Sequence, residues 1–173
     1  MNHFFTKEIR VLAIDPCTRG FGFAVLEGSQ MLIDWGIKEA SDNKNVRCLE
    51  MIAGLIESYQ PDGIVVEDCE GKGSRRCLRV QELISEIQKL ASKTGIQTHG
   101  FSRSSVRGAF SQFDAFTKHQ IAIAIAAQFP ELAPRVPPFR KCWMPEHYGM
   151  AIFDAVAFGL TFFHFDNPEQ QAA

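Results

Sequence analysis

The chain has 173 residues, 46% of them hydrophobic and 22% charged, a composition that suits one globular domain with a sizeable core and argues against a disordered chain. Eighteen basic residues against twenty acidic ones leave a net charge of −2, so affinity for nucleic acid would have to rest on local patches rather than on a global positive field. The five cysteines, at 17, 48, 69, 77 and 142, are odd in number and form no C-x-x-C pair, which indicates neither a disulfide framework nor a structural zinc site and fits a reducing compartment. No leader-like segment opens the chain, and the longest apolar stretch, near residues 150–165, contains Asp154 and His164. The expectation is a soluble cytoplasmic protein with no membrane association.

In chain order, Val11–Ile14, Phe21–Leu26 and Met31–Ile37 are apolar segments separated by turn signals, and the short Glu27–Gln30 link predicts an antiparallel three-strand meander. Val46, Leu49, Ile52, Ile56 and Tyr59 then fall at helical spacing, ending before Pro61. Gly63–Glu67 reads as a buried strand that closes on a carboxylate. Val80, Leu83, Ile84, Ile87 and Leu90 mark a second amphipathic helix closed by Gly95, and Ile96–Phe101 reads as a fifth strand. The polar segment Ser102–Asp114 precedes a helix predicted over 115–128 with Asp114 as its N-cap. Residues 130–145 carry five prolines and read as a long loop or flap, a last helix is predicted over 146–164, and the polar end, 166–173, reads as a flexible tail. No internal repeat is visible. The pattern predicts a single domain over 1–173, an α/β sandwich on one mixed five-stranded sheet, with three antiparallel strands followed by two parallel ones.

Three acids stand in costly positions. Asp15 follows the apolar run Val11–Ile14 and opens the turn Pro16-Cys17-Thr18-Arg19-Gly20; Glu67 ends the strand Gly63–Glu67; Asp154 lies inside the apolar helix segment Met150–Phe158. If the first and fourth strands are neighbours, the first two carboxylates lie about 5 Å apart and repel unless a cation sits between them. Oxygen-only donors of this kind make a candidate site for Mg²⁺ or Mn²⁺. Taken singly, Asp15 could cap a turn and Asp154 could pair with an arginine or with backbone. Asp68 and Glu70 are expected to point to solvent, and Cys69 to pack as an apolar group.

The motifs Ile14-Asp15-Pro16-x-Thr18-x-x-x-Gly22, Pro61-Asp62-x-x-x-Val66-Glu67 and Asp154-Ala155-Val156-Ala157 come in an order that resembles the RuvC-type Holliday-junction resolvases of the RNase H-like superfamily. Val106-Arg107 and, eleven residues on, Lys118 in Thr117-Lys118-x-Gln120-Ile121 match two basic positions of that pattern. The resemblance covers residues 10–163. It implies an RNase H-like fold and a divalent-metal-dependent endonuclease that cuts four-way DNA junctions in recombination and repair. It also implies two Mg²⁺ or Mn²⁺ ions held by the catalytic residues Asp15, Glu67 and Asp154, with Asp15 bridging both, and a homodimer with two opposed active sites. The chain departs from the pattern at Cys17, where the family has glycine, and at Ala151, where it has a fourth acidic or histidine ligand. His147 is the nearest substitute ligand, but seven helical residues place it about 10.5 Å from Asp154 along the axis.

Lys72, Arg75, Arg76 and Arg79 after Glu67, and Arg103, Arg107 and Lys118 after the fifth strand, could flank the metal site and hold phosphates, with Lys72, Arg75, Arg76, Arg107 and Lys118 the candidate DNA-backbone contacts. Arg140-Lys141-Cys142-Trp143 is a second candidate contact, with Trp143 able to stack on a base or to pack in a core or dimer seam, and Phe110, Phe113 and Phe116 read as core or interface. Three other readings stay open: another RNase H-like nuclease acting on RNA or an RNA–DNA hybrid, a junction-binding protein weakened in catalysis by Ala151, and an actin-like ATP site, for which 173 residues are too few. Whether a helicase partner is needed, and which sequence is cut, are not encoded legibly.

Overall fold

The apolar run at Val11–Ile14 becomes the centre of the sheet. A computed structural model of the chain describes residues 7–70 and 75–166. In it β1 (Arg10–Cys17), β2 (Gly20–Glu27) and β3 (Met31–Glu39) form an antiparallel meander, and β4 (Gly63–Glu67) and β5 (Gln97–Phe101) add in parallel, giving the order β3-β2-β1-β4-β5. Because β1 and β4 are flanked by strands on both edges and covered on both faces, their residues are continuously apolar rather than alternating.

The two faces carry separate cores. Leu12, Ile14, Phe23, Val25, Ile64 and Val66 pack against α1 (Lys44–Tyr59) and α2 (Leu78–Lys93) through Cys48, Ile52, Leu83 and Ile87. The alternate residues Val11, Ala13, Ala24, Leu26 and Val65 pack against α5 (Met150–Asp166), with α3 (Arg103–Phe110) and α4 (Lys118–Gln128) beside it. Helix α5 is buried nearly all round, as a helix that is apolar on every side must be. It can lie this close because Gly22 and Gly159 have no side chain: a Cβ at Gly22 would come within 2.2 Å of the Ala151 carbonyl oxygen, and one at Gly159 within 2.4 Å of Leu26 Cδ1.

Several sequence expectations need correction. The segment Ser102–Asp114 is not simply a polar connection: it contains α3, capped by Ser102, whose hydroxyl accepts from the Ser105 N–H, and a 3₁₀ turn at Ser111–Phe113. Helix α4 starts at Lys118, not 115. Its N-cap is Thr117, in a capping box with Gln120, while Asp114 sits in the left-handed region at φ 53° and ends the 3₁₀ turn. The last helix begins at Met150 instead of 146 and runs on to Asp166. Of the proline-rich stretch, 130–135 is wound into 3₁₀ helix. The tail from 167 lies outside the described residues.

Candidate active site

The sheet register builds the first half of the site. Val11 and Ala13 of β1 pair with Gly63 and Val65 of β4, and two further steps along each strand bring Asp15 level with Glu67. Both are an even number of residues from Val11 and Gly63, so both side chains face α5 together with Ala13 and Val65. Asp15 is still inside β1, opposite Gly22 of β2, so it is not at the strand tip that the sequence suggested; it lies beyond the last β1–β4 pair. The contact of α5 with Gly22 fixes the third acid, because Ala151 rests on the strand next to Asp15 and Asp154 follows one helical step on. Asp15, Glu67 and Asp154 are 2%, 3% and 5% exposed, a level that ionised groups tolerate only when paired.

Their partners are three cations. Arg76, just ahead of α2, puts Nη2 2.6 Å from Asp15 Oδ1 and Nε 2.5 Å from Glu67 Oε2, and donates through Nη1 to the Pro16 carbonyl. Arg103, the first residue of α3 and two residues beyond β5, reaches all three acids: Nη1 lies 2.9 Å from Asp154 Oδ1, and Nη2 and Nε lie 3.3 Å from Asp15 Oδ1 and Glu67 Oε1. Its guanidinium also lies over the Phe158 ring, 4.9 Å from the centroid. Lys118, the first residue of α4, places Nζ 2.8 Å from Asp154 Oδ2 and 2.7 Å from Glu146 Oε2. Arg79 locks the same entry of α2 onto the β1–β2 turn by donating to the Cys17 carbonyl.

The two buried aspartates titrate apart. Burial, and then the negative charge of Asp154, push Asp15 up to about 7 against the pull of Arg76, Arg103 and Lys118. Burial works on Asp154 in the same sense, but Arg103 and Lys118 sit directly on its oxygens and hold it below its ordinary value. Burial likewise favours neutral Arg76 and Lys118, and the surrounding carboxylates overcome it, raising both.

The structure therefore brings together Asp15, Glu67, Asp154, Arg76, Arg103 and Lys118 of the sequence-level candidates, with Arg103, expected to flank the site, resting directly on all three acids. Its position two residues after a strand paired with β4 was the available signal. Arg107 lies one turn further along α3 and is exposed, as is Arg75; Lys72 lies outside the described residues. His147 stays apart, because its Nδ1 accepts from the Gly149 N–H and its ring stacks on Tyr148 in the turn before α5. Asp68 and Glu70 are exposed, as expected, and Cys69 packs partly buried against the α1–α2 core. Trp143 is 73% exposed, outside any core, and Phe113 and Phe116 are also exposed, whereas Phe110 is buried. Near Trp143, Pro138, Phe139, Lys141 and Met150 line a cleft of about 430 Å³ that shares Lys118 with the acid cluster.

The donor set of Asp15, Glu67 and Asp154 is oxygen only, the donor type that a hard divalent cation takes. In the geometry described here those oxygens face guanidinium and ammonium groups, and among the described residues no three His, Cys, Asp or Glu side chains form a ready group for a metal ion.

A five-stranded mixed sheet with helices on both faces and acids on β1, β4 and the last helix defines an RNase H-like α/β fold. Solved structures bear out that architecture. The chain is similar to Thermus thermophilus RuvC, with a TM-score of 0.69 at 15% identity over 91% of this chain and 95% of that one. It is also similar to T. thermophilus RuvC in complex with Holliday junction substrate, with a TM-score of 0.66 at 14% identity over the same shares. The yeast mitochondrial Holliday junction resolvase Ydc2 matches with a TM-score of 0.61 at 15% identity, over 96% of this chain and 85% of that one. No family model and no curated protein matches the sequence. No helix among the described residues is long and apolar enough to cross a membrane.

Proposed function

We propose that the chain is a divalent-metal-dependent endonuclease that cuts four-way DNA junctions. The observation that carries this reading is the convergence of Asp15, Glu67 and Asp154, all buried, on one face of the sheet and ringed by Arg76, Arg103 and Lys118. In a fold shared with junction resolvases, that arrangement suits phosphodiester hydrolysis. Asp15, Glu67 and Asp154 would hold Mg²⁺ or Mn²⁺, two ions in the full arrangement. When bound, such ions lower the pKa of a water and stabilise the leaving oxygen.

The chain's own groups do the rest. Arg103 and Lys118 set fixed positive charge beside the acids, where a phosphate would sit, and the buried surroundings strengthen that charge. Arg75 and Arg107, both exposed, reach for the backbone on either side. The approximate two-fold symmetry of a four-way junction calls for a homodimer that presents two such sites, and light scattering giving twice the chain mass checks it.

The test compares wild type and Asp15→Asn on a four-way junction, an RNA–DNA hybrid and a structured RNA, with Mg²⁺ and with Mn²⁺. Cleavage of the junction alone, abolished in Asp15→Asn while the gel shift persists, is expected. Preference for the hybrid or the RNA would move the activity elsewhere within the same fold. Junction binding with no cleavage under any ion would favour a binding protein, a reading motivated by Ala151, which packs on Gly22 where a fourth ligand would otherwise stand.

A further inference from the structure

The acid cluster is already neutralised. Asp15, Glu67 and Asp154 bring at most three negative charges, and Arg76, Arg103 and Lys118 bring three positive ones at 2.5–3.3 Å from the carboxylate oxygens. A divalent cation added to this set with nothing released would crowd like charges into a site whose acids are at most 5% exposed. Low-dielectric surroundings make that costly.

The three cations are not held alike. Arg103 touches all three acids and is fastened over Phe158. Lys118 is on Asp154 and Glu146, to one side. Arg76 forks across Asp15 and Glu67 more closely than Arg103 does, at 2.6 and 2.5 Å against 3.3 Å, and these are the two acids that the β1–β4 register sets level with each other. Its Nη1 also donates to the Pro16 carbonyl at 3.1 Å, and its side chain is 21% exposed, about as much as that of Arg103, so its outer edge meets solvent. A guanidinium fork binds phosphate oxygens with the same paired geometry that it uses on carboxylates.

Building on the nuclease reading, we propose that Arg76 is an exchangeable counter-ion. In the free protein its guanidinium takes the divalent-cation position between Asp15 and Glu67; a DNA phosphate draws it off, so metal and phosphodiester bind with positive coupling. The cation is then admitted where a substrate phosphate is present to receive Arg76.

Mn²⁺ binding, read by calorimetry and by the spin-resonance signal of free Mn²⁺, tests this without reference to cleavage. Wild type alone is expected to bind Mn²⁺ weakly. Arg76→Gln alone is expected to bind it about tenfold more tightly, and four-way junction DNA to tighten wild type by a similar factor, within the roughly 5- to 150-fold range of ordinary coupling. The DNA effect should largely vanish in Arg76→Gln. If that variant folds poorly, the wild-type arm with and without DNA still decides, because coupling is reciprocal and Mn²⁺ must tighten junction binding by the same factor. Wild type that binds Mn²⁺ tightly without DNA, and cuts junctions, overturns the exchange and leaves the nuclease reading standing. Absence of Mn²⁺ binding in wild type, variant and DNA complex overturns both.

Discussion

Arg103 joins more of the site than any other side chain: three buried carboxylates and the face of Phe158 meet at its guanidinium. Removing one partner of a buried ion cluster leaves uncompensated charge, which costs about 3–5 kcal/mol. Arg103→Ala should lose stability on that scale in urea unfolding, and Asp15→Asn in the same background should restore part of it by deleting one of the stranded charges. Equal midpoints for wild type and Arg103→Ala would refute the cluster's structural role. On the opposite face, the Tyr59 hydroxyl donates to Asp34 Oδ2, and that bond, with burial and the Asp34 charge, raises the Tyr59 pKa. A raised folded value means that the bond's stabilisation is complete below pH 10, the ordinary tyrosine value, and is lost as pH rises through the folded pKa. The chain has two tyrosines, 59 and 148. In Tyr148→Phe the phenolate absorbance therefore reports Tyr59 alone, and its midpoint should fall toward the ordinary value when Asp34→Asn is added.

At the scale of elements, the site depends on how closely α5 lies on the sheet. Gly22 stands opposite Asp15 and beneath Ala151. Gly22→Ala must push the first turn of α5 outward, because its Cβ would lie 2.2 Å from a backbone oxygen that has no rotamer to change. The expected cost is about 1–3 kcal/mol of overpacking, measured by denaturant unfolding. A disproportionate loss of junction cleavage is also expected, since Asp154 moves with that turn. The entries of α3 and α4 were written in the sequence by cap chemistry. Ser102 with Val106, Ala109 and Phe110 signals one, and Thr117-x-x-Gln120 signals the other. Asp114 was the misleading residue, since an aspartate also serves in a left-handed turn.

For the whole molecule, a net charge of −2 gives no long-range attraction to DNA. Binding to a junction therefore has to come from few, local phosphate contacts. Each contact contributes roughly 0.9 to the slope of log affinity against log salt. Arg107→Ala should reduce that slope by about one and weaken all junction sequences alike. A salt response that is flat in wild type, or unchanged in Arg107→Ala, would remove Arg107 from the DNA interface.

The sequence by itself determined the strands, the order of the three acids and the α/β architecture. Each of these is local: apolar runs, helical spacing and a carboxylate at a definite place after a buried strand. It also marked Arg76 and Lys118 as basic positions near those acids. What only the tertiary structure decided is which charges meet. Sequence distance carries no information on whether Arg103, 88 residues from Asp15, comes to rest on its carboxylate. That depends on β4 bringing β5 alongside it and on α3 starting where β5 ends. Nor could the sequence show that the oxygens expected to face metal ions face guanidinium groups instead, because charge compensation in a buried cluster is settled by every group that the fold packs there.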